Sequence, residues 1–171
     1  TVDASGNVYI ADFGNERVRK VDLSGTISTV AGSGVAGDAG DGGKAVKARL
    51  RSPTGVTLDA AGNLYIADRG NNIVRRVDAS TYLISTIAGT PAASGYSGDG
   101  GQATQARCNL PVSVLWDSAN LLYVVEEGNH VVRRINLNTG VIKTIAGTGK
   151  AGFRGDGGPA TEARLRNPHG V

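Results

Sequence analysis

The sequence has no methionine, one cysteine, two histidines and few aromatic residues, 5% of its 171 positions. Each shortage excludes something. A lone Cys108 rules out a disulfide within the chain. His130 and His169 have no Cys-x-x-Cys or His-x-x-x-His spacing around them, so they do not supply the three or four ligands that a zinc site takes. No apolar run is long enough for a transmembrane helix, and no membrane insertion is expected. The first residues lack the basic start and apolar middle of a signal peptide. With no Met and a pattern already under way at Thr1, the chain reads as a piece of a longer precursor. The 18 basic and 15 acidic residues leave a net charge of +3, which permits an acidic partner without requiring one.

Glycine is abundant, at 26 residues, and so is repetition. The middle of the chain reads Gly55-Val56-Thr57-Leu58-Asp59, Gly62-Asn63-Leu64-Tyr65-Ile66-Ala67-Asp68, Val74-Arg75-Arg76-Val77-Asp78, Ser85-Thr86-Ile87-Ala88-Gly89 and Gly98-Asp99-Gly100-Gly101. Residues 6–43 and 119–158 repeat most of it. Asp12 and Asp68 stand 56 residues apart, Asp68 and Glu126 58, and three periods of 57 fill the 171 residues. A period of this size marks a repeat architecture, in which each unit has an apolar face that a neighbour must cover.

Within a unit the apolar stretches are short, rich in β-branched and aromatic residues, and bounded by Gly, Asn and Asp. The second unit gives four strands near 55–59, 64–68, 73–78 and 83–88, with turns rich in residues that accept positive φ. The run Leu64-Tyr65-Ile66-Ala67 has no polar alternation, as expected of a sheet covered on both faces. Four-stranded antiparallel blades stacked around an axis make a β-propeller, so the expected fold is all-β, with three blades near 1–53, 54–111 and 112–171. An open β-sandwich or solenoid is the alternative. After each fourth strand a Gly-rich connector leads to a short helix, which starts at Pro159 in the last unit, with Asp41, Asp99 and Asp156 as capping carboxylates. Cys108 takes the place of Leu50 and Leu165 and reads as core.

The succession Asp-x-x-Gly-Asn-Leu-Tyr-Ile-Ala-Asp, Gly-Asn, Val-Arg-Arg-Val-Asp, Thr-Ile-Ala-Gly and Gly-Asp-Gly-Gly resembles the NHL repeat. The likeness spans the whole chain and is closest to the long-connector variety of bacterial surface and secreted proteins, which implies a secreted or cell-surface parent. It also implies a six-bladed ring. The third unit departs at Val112-Ser113-Val114, Trp116 and Glu126. NHL propellers serve as binding platforms, as RNA readers and occasionally as enzymes, so the family alone does not decide activity. The family's hydroxyglycine-peptide lyase uses metal-binding histidines that have no match here.

Three blades leave apolar sheet faces open. Joining Pro168-His169-Gly170-Val171 to Thr1-Val2-Asp3 reproduces the stretch Pro53 to Asp59, so the first strand of a blade is split between 169–171 and 1–3. A homodimer, two chains head to tail, is expected to rebuild it and close the ring. A fragment of a longer six-bladed chain is the alternative.

Chemistry is sparse. No Ser-His-Asp or Cys-His set has an arguable spacing, Gly-Asp-Gly-Gly lacks the Gly-Lys-Ser/Thr of a phosphate loop, and the acidic connectors lack an EF-hand's ligand spacing. No cofactor is expected. His169 and Thr54, at the start of inner strands near the channel, are the candidate ligand contacts, and His130 reads as a solvated turn residue. The basic pairs Arg19-Lys20, Arg75-Arg76 and Arg133-Arg134 read as a solvated outer edge or, in the alternative, as RNA phosphate contacts. The expected function is a non-enzymatic scaffold that binds a protein, peptide or glycan, with RNA binding and a lyase or hydrolase site at the central channel as alternatives.

Overall fold

One aspartate builds the first turn of every unit. Asp59 Oδ1 accepts the backbone N–H groups of Ala61 and Asn63, while its Oδ2 accepts the Asn63 side chain and, at 2.9 Å, the Tyr65 hydroxyl. Asp3 and Asp117 repeat this with Tyr9 and Tyr123. Such self-bonding turns pin the hairpin and its register. The next turn ends on a left-handed residue, Glu16, Asn72 or His130, at φ 54°, 59° and 57°.

The computed structural model describes all 171 residues. The first sheet holds β1 (Val8–Asp12), β2 (Arg17–Val21) and β3 (Ile27–Ala31); the second holds β4 (Pro53–Leu58), β5 (Leu64–Asp68), β6 (Ile73–Val77) and β7 (Ile84–Ala88). The third holds β8 (Pro111–Trp116), β9 (Leu121–Glu126), β10 (Val131–Asn136) and β11 (Ile142–Ala146). Every sheet is an antiparallel meander in chain order, the blade of a propeller. The first sheet is one strand short: its inner strand is reduced to a single bridge between Val2 and Val8.

Blades stack through two cores. Val18 and Ala31 of the first blade meet Leu64, Ile66, Val77 and Ile84 of the second. Tyr65, Ala67, Val74 and Ala88 of the second blade meet Leu122, Val124, Ile135 and Ile142 of the third. The connectors seal each seam, with Ala45, Ala48 and Leu50 in the first and Ala103 and Ala106 in the second. β5 is buried along its whole length, which accounts for its unbroken apolar run. Inner strands converge closely: a Cβ on Gly55 would lie 2.8 Å from the Val112 carbonyl oxygen.

Two expectations about the connectors need correction. Their helices are single 3-10 turns at Ala45–Lys47, Ala103–Gln105 and Ala160–Glu162, and Pro159 precedes the last of these rather than opening it. No side chain caps these turns; Asp41 and Asp99 are engaged by the following blade, as described next.

Candidate functional site

Alternation along a strand sends Arg75 and Arg76 to opposite faces of the second blade. Arg76 pairs across the sheet with Tyr65 on the face toward the third blade, whereas Arg75 pairs with Ile66 on the buried face toward the first. Both Arg75 and its counterpart Arg133 are fully buried. This corrects the reading of the basic pairs as a solvated edge or phosphate row: Arg75 and Arg133 cannot reach RNA. Arg19, Lys20, Arg76 and Arg134 keep partial exposure on separate blades.

Each buried arginine is the centre of a clamp that fastens a connector to the blade ahead. Arg75 donates to the carbonyls of Asp38 and Arg49, at 3.3 and 3.1 Å, and to the Asp41 carboxylate, whose other oxygen accepts the Thr86 N–H at 2.9 Å. Asp68, 3.9 Å from Arg75, accepts the Arg51 N–H and the Asn71 amide, and Asn71 also donates to the Gly37 carbonyl. The third blade repeats it. Arg133 reaches Asp99 through Nε at 2.9 Å, the carbonyls of Ser97 and Arg107, and Glu126 at 3.5 Å, and Asn129 donates to the Gly95 carbonyl. The ring of Tyr96 lies over the Arg133 guanidinium, 5.6 Å from it.

Burial dominates the electrostatics of the two fully buried clamp carboxylates, Asp68 and Glu126. It pushes Asp68 up to about 6 and raises Glu126 as well. Asp99 is half-open to solvent; burial alone would raise it, but Thr144 and Arg133 outweigh that and hold it below the ordinary carboxylate value. Cys108 lies buried beside Glu126, and both burial and that carboxylate raise its thiol well above normal.

Between the inner strands, Thr54 Oγ1 donates to the Pro111 carbonyl at 3.4 Å, tying β4 to β8. His169 is exposed, with Nε2 3.8 Å from Glu127, and Arg69 reaches the same carboxylate at 3.0 Å. Thr54 and His169 thus occupy matching repeat positions and both contact the third blade, Thr54 at Pro111 and His169 at Glu127. His130 does more than sit in solvent: its Nδ1 accepts the Asn167 N–H at 3.2 Å, the role Asn72 plays for Leu110 and Glu16 for Ser52. A cavity of about 480 Å³ opens between the first two blades, lined by Val30 and Leu64 together with Tyr9, Lys20, Lys44, Asp78 and Tyr82. Lys20 stands over the Tyr9 ring and Lys44 over that of Tyr82. No three His, Cys, Asp or Glu side chains come together as a metal-holding group.

Sequence reasoning missed the clamps. The signal was present, since Asp41 precedes Arg75, and Asp99 precedes Arg133, by the same 34 residues.

Comparison with known proteins agrees with this architecture. The family model of the Teneurin NHL domain matches residues 35–93. Teneurin-1 of Mus musculus is 32% identical over 160 residues, covering 84% of this chain and 6% of its own length. NHL repeat-containing protein 2 of Bos taurus is 36% identical over 106 residues, covering 61% of this chain and 14% of its own. The chain therefore spans a small part of the curated relatives it matches. Among solved structures, an auxiliary nutrient binding protein from Bacteroides thetaiotaomicron superposes with a TM-score of 0.69 at 18% identity, over 98% of this chain and 40% of its own, a likeness of fold. With its three meander blades and its repeated Asp, Asn and Arg positions, the chain belongs to the NHL-repeat family of β-propellers.

Proposed function

We propose that the chain is a non-enzymatic binding scaffold, half of a six-bladed ring that a second copy completes, and that the ring displays its loops and clefts to a protein, peptide or glycan. One observation carries the ring: Val8, Ile10 and Ile27 on the open face of the first blade are 39%, 40% and 50% exposed, whereas Leu64, Ile66 and Ile84 at the same places in the second blade are 4%, 0% and 0%. A surface that is core in one blade and bare in another calls for a cover. Residues Pro168–Val171 continue the repeat in register with Thr1 and Val2, so His169, Gly170 and Val171 of one copy would rebuild the inner strand beside β1 of the other. His169 and Thr54 would then line the channel mouth from successive blades.

As a binding surface, the recess beside Tyr9 and Tyr82 offers aromatic walls, an apolar floor and two ammonium groups, a combination suited to a peptide or sugar carrying negative charge. Small-angle X-ray scattering tests the ring: a closed disc of six blades is expected, and an open arc of three overturns it. Peptide and glycan arrays probed with the labelled protein test the platform, with signals expected to weaken in Tyr82→Ala. Tight, steeply salt-dependent binding of single-stranded RNA, with none on the arrays, would overturn the platform in favour of an RNA reader.

A further inference from the structure

The seam between the first two blades is packed at its core yet open beside the turn from β6 to β7, where the cavity of about 480 Å³ lies. Alignment with the second seam shows why. Gly62 and Ala79 line this cavity, whereas Asn120 and Leu137 hold the same repeat positions one blade on, and Leu137 packs there against the core. The matching recess of the second seam, about 420 Å³, takes much of its lining from the polar side chains of Asp59, Asn63, Arg76, Thr104 and Asn120. In the first seam Lys20 stands for Arg76 and Val46 for Thr104. The result is a cavity walled by Val30, Ala45, Leu64 and Val77, with ammonium groups as its free charges.

Those charges have no partner of opposite sign. Every ion pair in the chain is made by an arginine or by His169, so Lys20 and Lys44 are in none. Arg76, the counterpart of Lys20, is neutralised by Asp78 at 3.1 Å. Asp78 is the one carboxylate in the lining, and its oxygens are taken: Oδ1 accepts from Ser80 and Thr81, and Oδ2 from Arg76. Asp22, close enough to feel the Lys20 charge, is held in the same way by Ser24 and Thr26. Lys44 donates one proton to the Thr81 carbonyl at 2.9 Å, which leaves two for an incoming group. Tyr82 points to a ligand independently. Its φ is 58°, at a place where the other blades have Gly25 and Gly140, at 82° and 72°. The turn requires this conformation, because the Tyr82 carbonyl accepts the Ala45 N–H at 2.9 Å as that of Gly140 accepts the Ala103 N–H. Glycine adopts it freely, whereas tyrosine adopts it at a steric cost, and this ring, 65% exposed, gains little from burial. Strain held for an exposed aromatic ring beside a cavity marks a contact made by that ring.

We propose that this cavity binds a small organic anion with an apolar body, an aryl or alkyl carboxylate, whose body enters over Val30, Leu64 and Val77 beside the rings of Tyr9 and Tyr82 and whose carboxylate meets Lys20 and Lys44. The inference rests on the recess being a binding surface, as read above, narrows it to one chemistry, and stands without the ring. Two unneutralised ammonium groups select the negative charge. The walls select the apolar body. A sugar would bring several hydroxyls, and besides the lysines the lining offers them the Thr29 and Tyr82 hydroxyls, too few to replace the water they lose. The volume falls in the range of small-molecule sites. A free molecule and the last residue of a peptide chain present the same chemistry, and the test separates them.

Isothermal titration calorimetry of the whole chain with phenylbutyrate provides the test, and a dissociation constant of about 0.1–1 mM is expected for a ligand of this size. Phenylbutyramide, which keeps the body without the charge, and acetate, which keeps the charge without the body, are each expected to bind at least roughly 10-fold more weakly. Tyr82→Gly removes the ring and relaxes the turn, so the variant is expected to stay folded by circular dichroism and yet bind roughly 10-fold more weakly. Gly62→Asn with Ala79→Leu installs the residues that the third blade already carries, Asn120 at φ 60°, and is expected to fill the cavity and abolish binding. Lys20→Gln with Lys44→Gln is expected to weaken binding at least roughly 10-fold, and Lys143→Gln, exposed on the third blade, to leave it unchanged. A tetrapeptide ending in phenylalanine with its carboxylate free, if tighter than phenylbutyrate, identifies a chain end as the source; if weaker, a free molecule. Absence of phenylbutyrate binding, or binding that survives the filled cavity, would overturn the inference, and tighter binding of glucuronate would overturn it in favour of an acidic sugar. Signals on the peptide and glycan arrays without phenylbutyrate binding would remove the anion and leave the platform standing, whereas absence of both would remove both.

Discussion

Arg133 of the third blade donates through Nε to Asp99 at 2.9 Å, across a seam between two blades and 34 residues of chain. The guanidinium is buried, while the carboxylate is 39% exposed at the outer end of the seam. Its inner face looks onto Glu126, which is wholly buried. The arginine thus neutralises a carboxylate that water does not reach. Arg133→Ala leaves that carboxylate alone and is expected to destabilise the chain by about 3–5 kcal/mol, whereas Arg133→Met combined with Glu126→Gln is expected to cost much less than the sum of the single changes. Urea denaturation of the unaltered chain, Arg133→Ala, Arg133→Met, Glu126→Gln and the double variant measures this, and additive losses of Arg133→Met and Glu126→Gln would contradict the pairing.

Asp68 sets an acid-side dependence. Burial lifts its folded value to about 6, against roughly 3.9 for an aspartate in an unfolded chain. Between these values the folded state binds more protons than the unfolded one, so stability falls as pH rises through the window from about 4 to 6. The thermal midpoint is expected to be higher at pH 5 than at pH 7, with Asp68→Asn flattening the difference. Glu126 acts in the same direction. Asp99, lowered in the folded state, acts oppositely, and its contribution is lost on acidifying below the ordinary aspartate range. A midpoint that climbs from pH 5 to 7 would contradict the assignment for Asp68.

Gly89 shows where the connector leaves no room. Its φ is 86°, and a Cβ there would lie 2.4 Å from the Asn72 carbonyl oxygen and 3.0 Å from the Ile73 Cα, both backbone. Gly89→Ala is expected to cost about 2 kcal/mol or more. Gly100, at φ 83° but in open space, is expected to cost only about 1 kcal/mol on the same change. The difference between their urea midpoints separates crowding from backbone strain.

Cys108 is expected to be inert. Its buried, raised thiol should resist alkylation in the folded protein and react once urea unfolds it. Cys108→Leu restores the residue of the sister positions Leu50 and Leu165 but enlarges a fully buried side chain, and is expected to cost about 1–3 kcal/mol. Rapid labelling of the native chain would place the thiol elsewhere.

The blades were legible because their signals are local. Asp59 and Asn63 bracket a turn, Leu64 to Ala67 form an apolar run, and the repeat copies both, so the expected strand at 64–68 is the observed β5. The clamps were not, although every residue in them recurs. Arg75-Arg76 reads as one basic pair, yet neighbouring strand residues face opposite ways, and only the register Ile66↔Arg75 shows which of the two is inside. Asp41 and Asp99 look like caps of the nearest backbone in the sequence, while their partners lie a blade ahead. His130 likewise reads as a solvated loop until Asn167, 37 residues on, is brought to its Nδ1. Local chemistry was readable from spacing; chemistry that spans a seam was readable only from the fold.

Closure of the ring by a second copy is the proposal that the bare face of the first blade, at Val8, Ile10 and Ile27, supports. Light scattering on the purified chain measures it directly. The account predicts a single species of twice the 17.4 kDa chain mass, and a stable species of 17.4 kDa would contradict it.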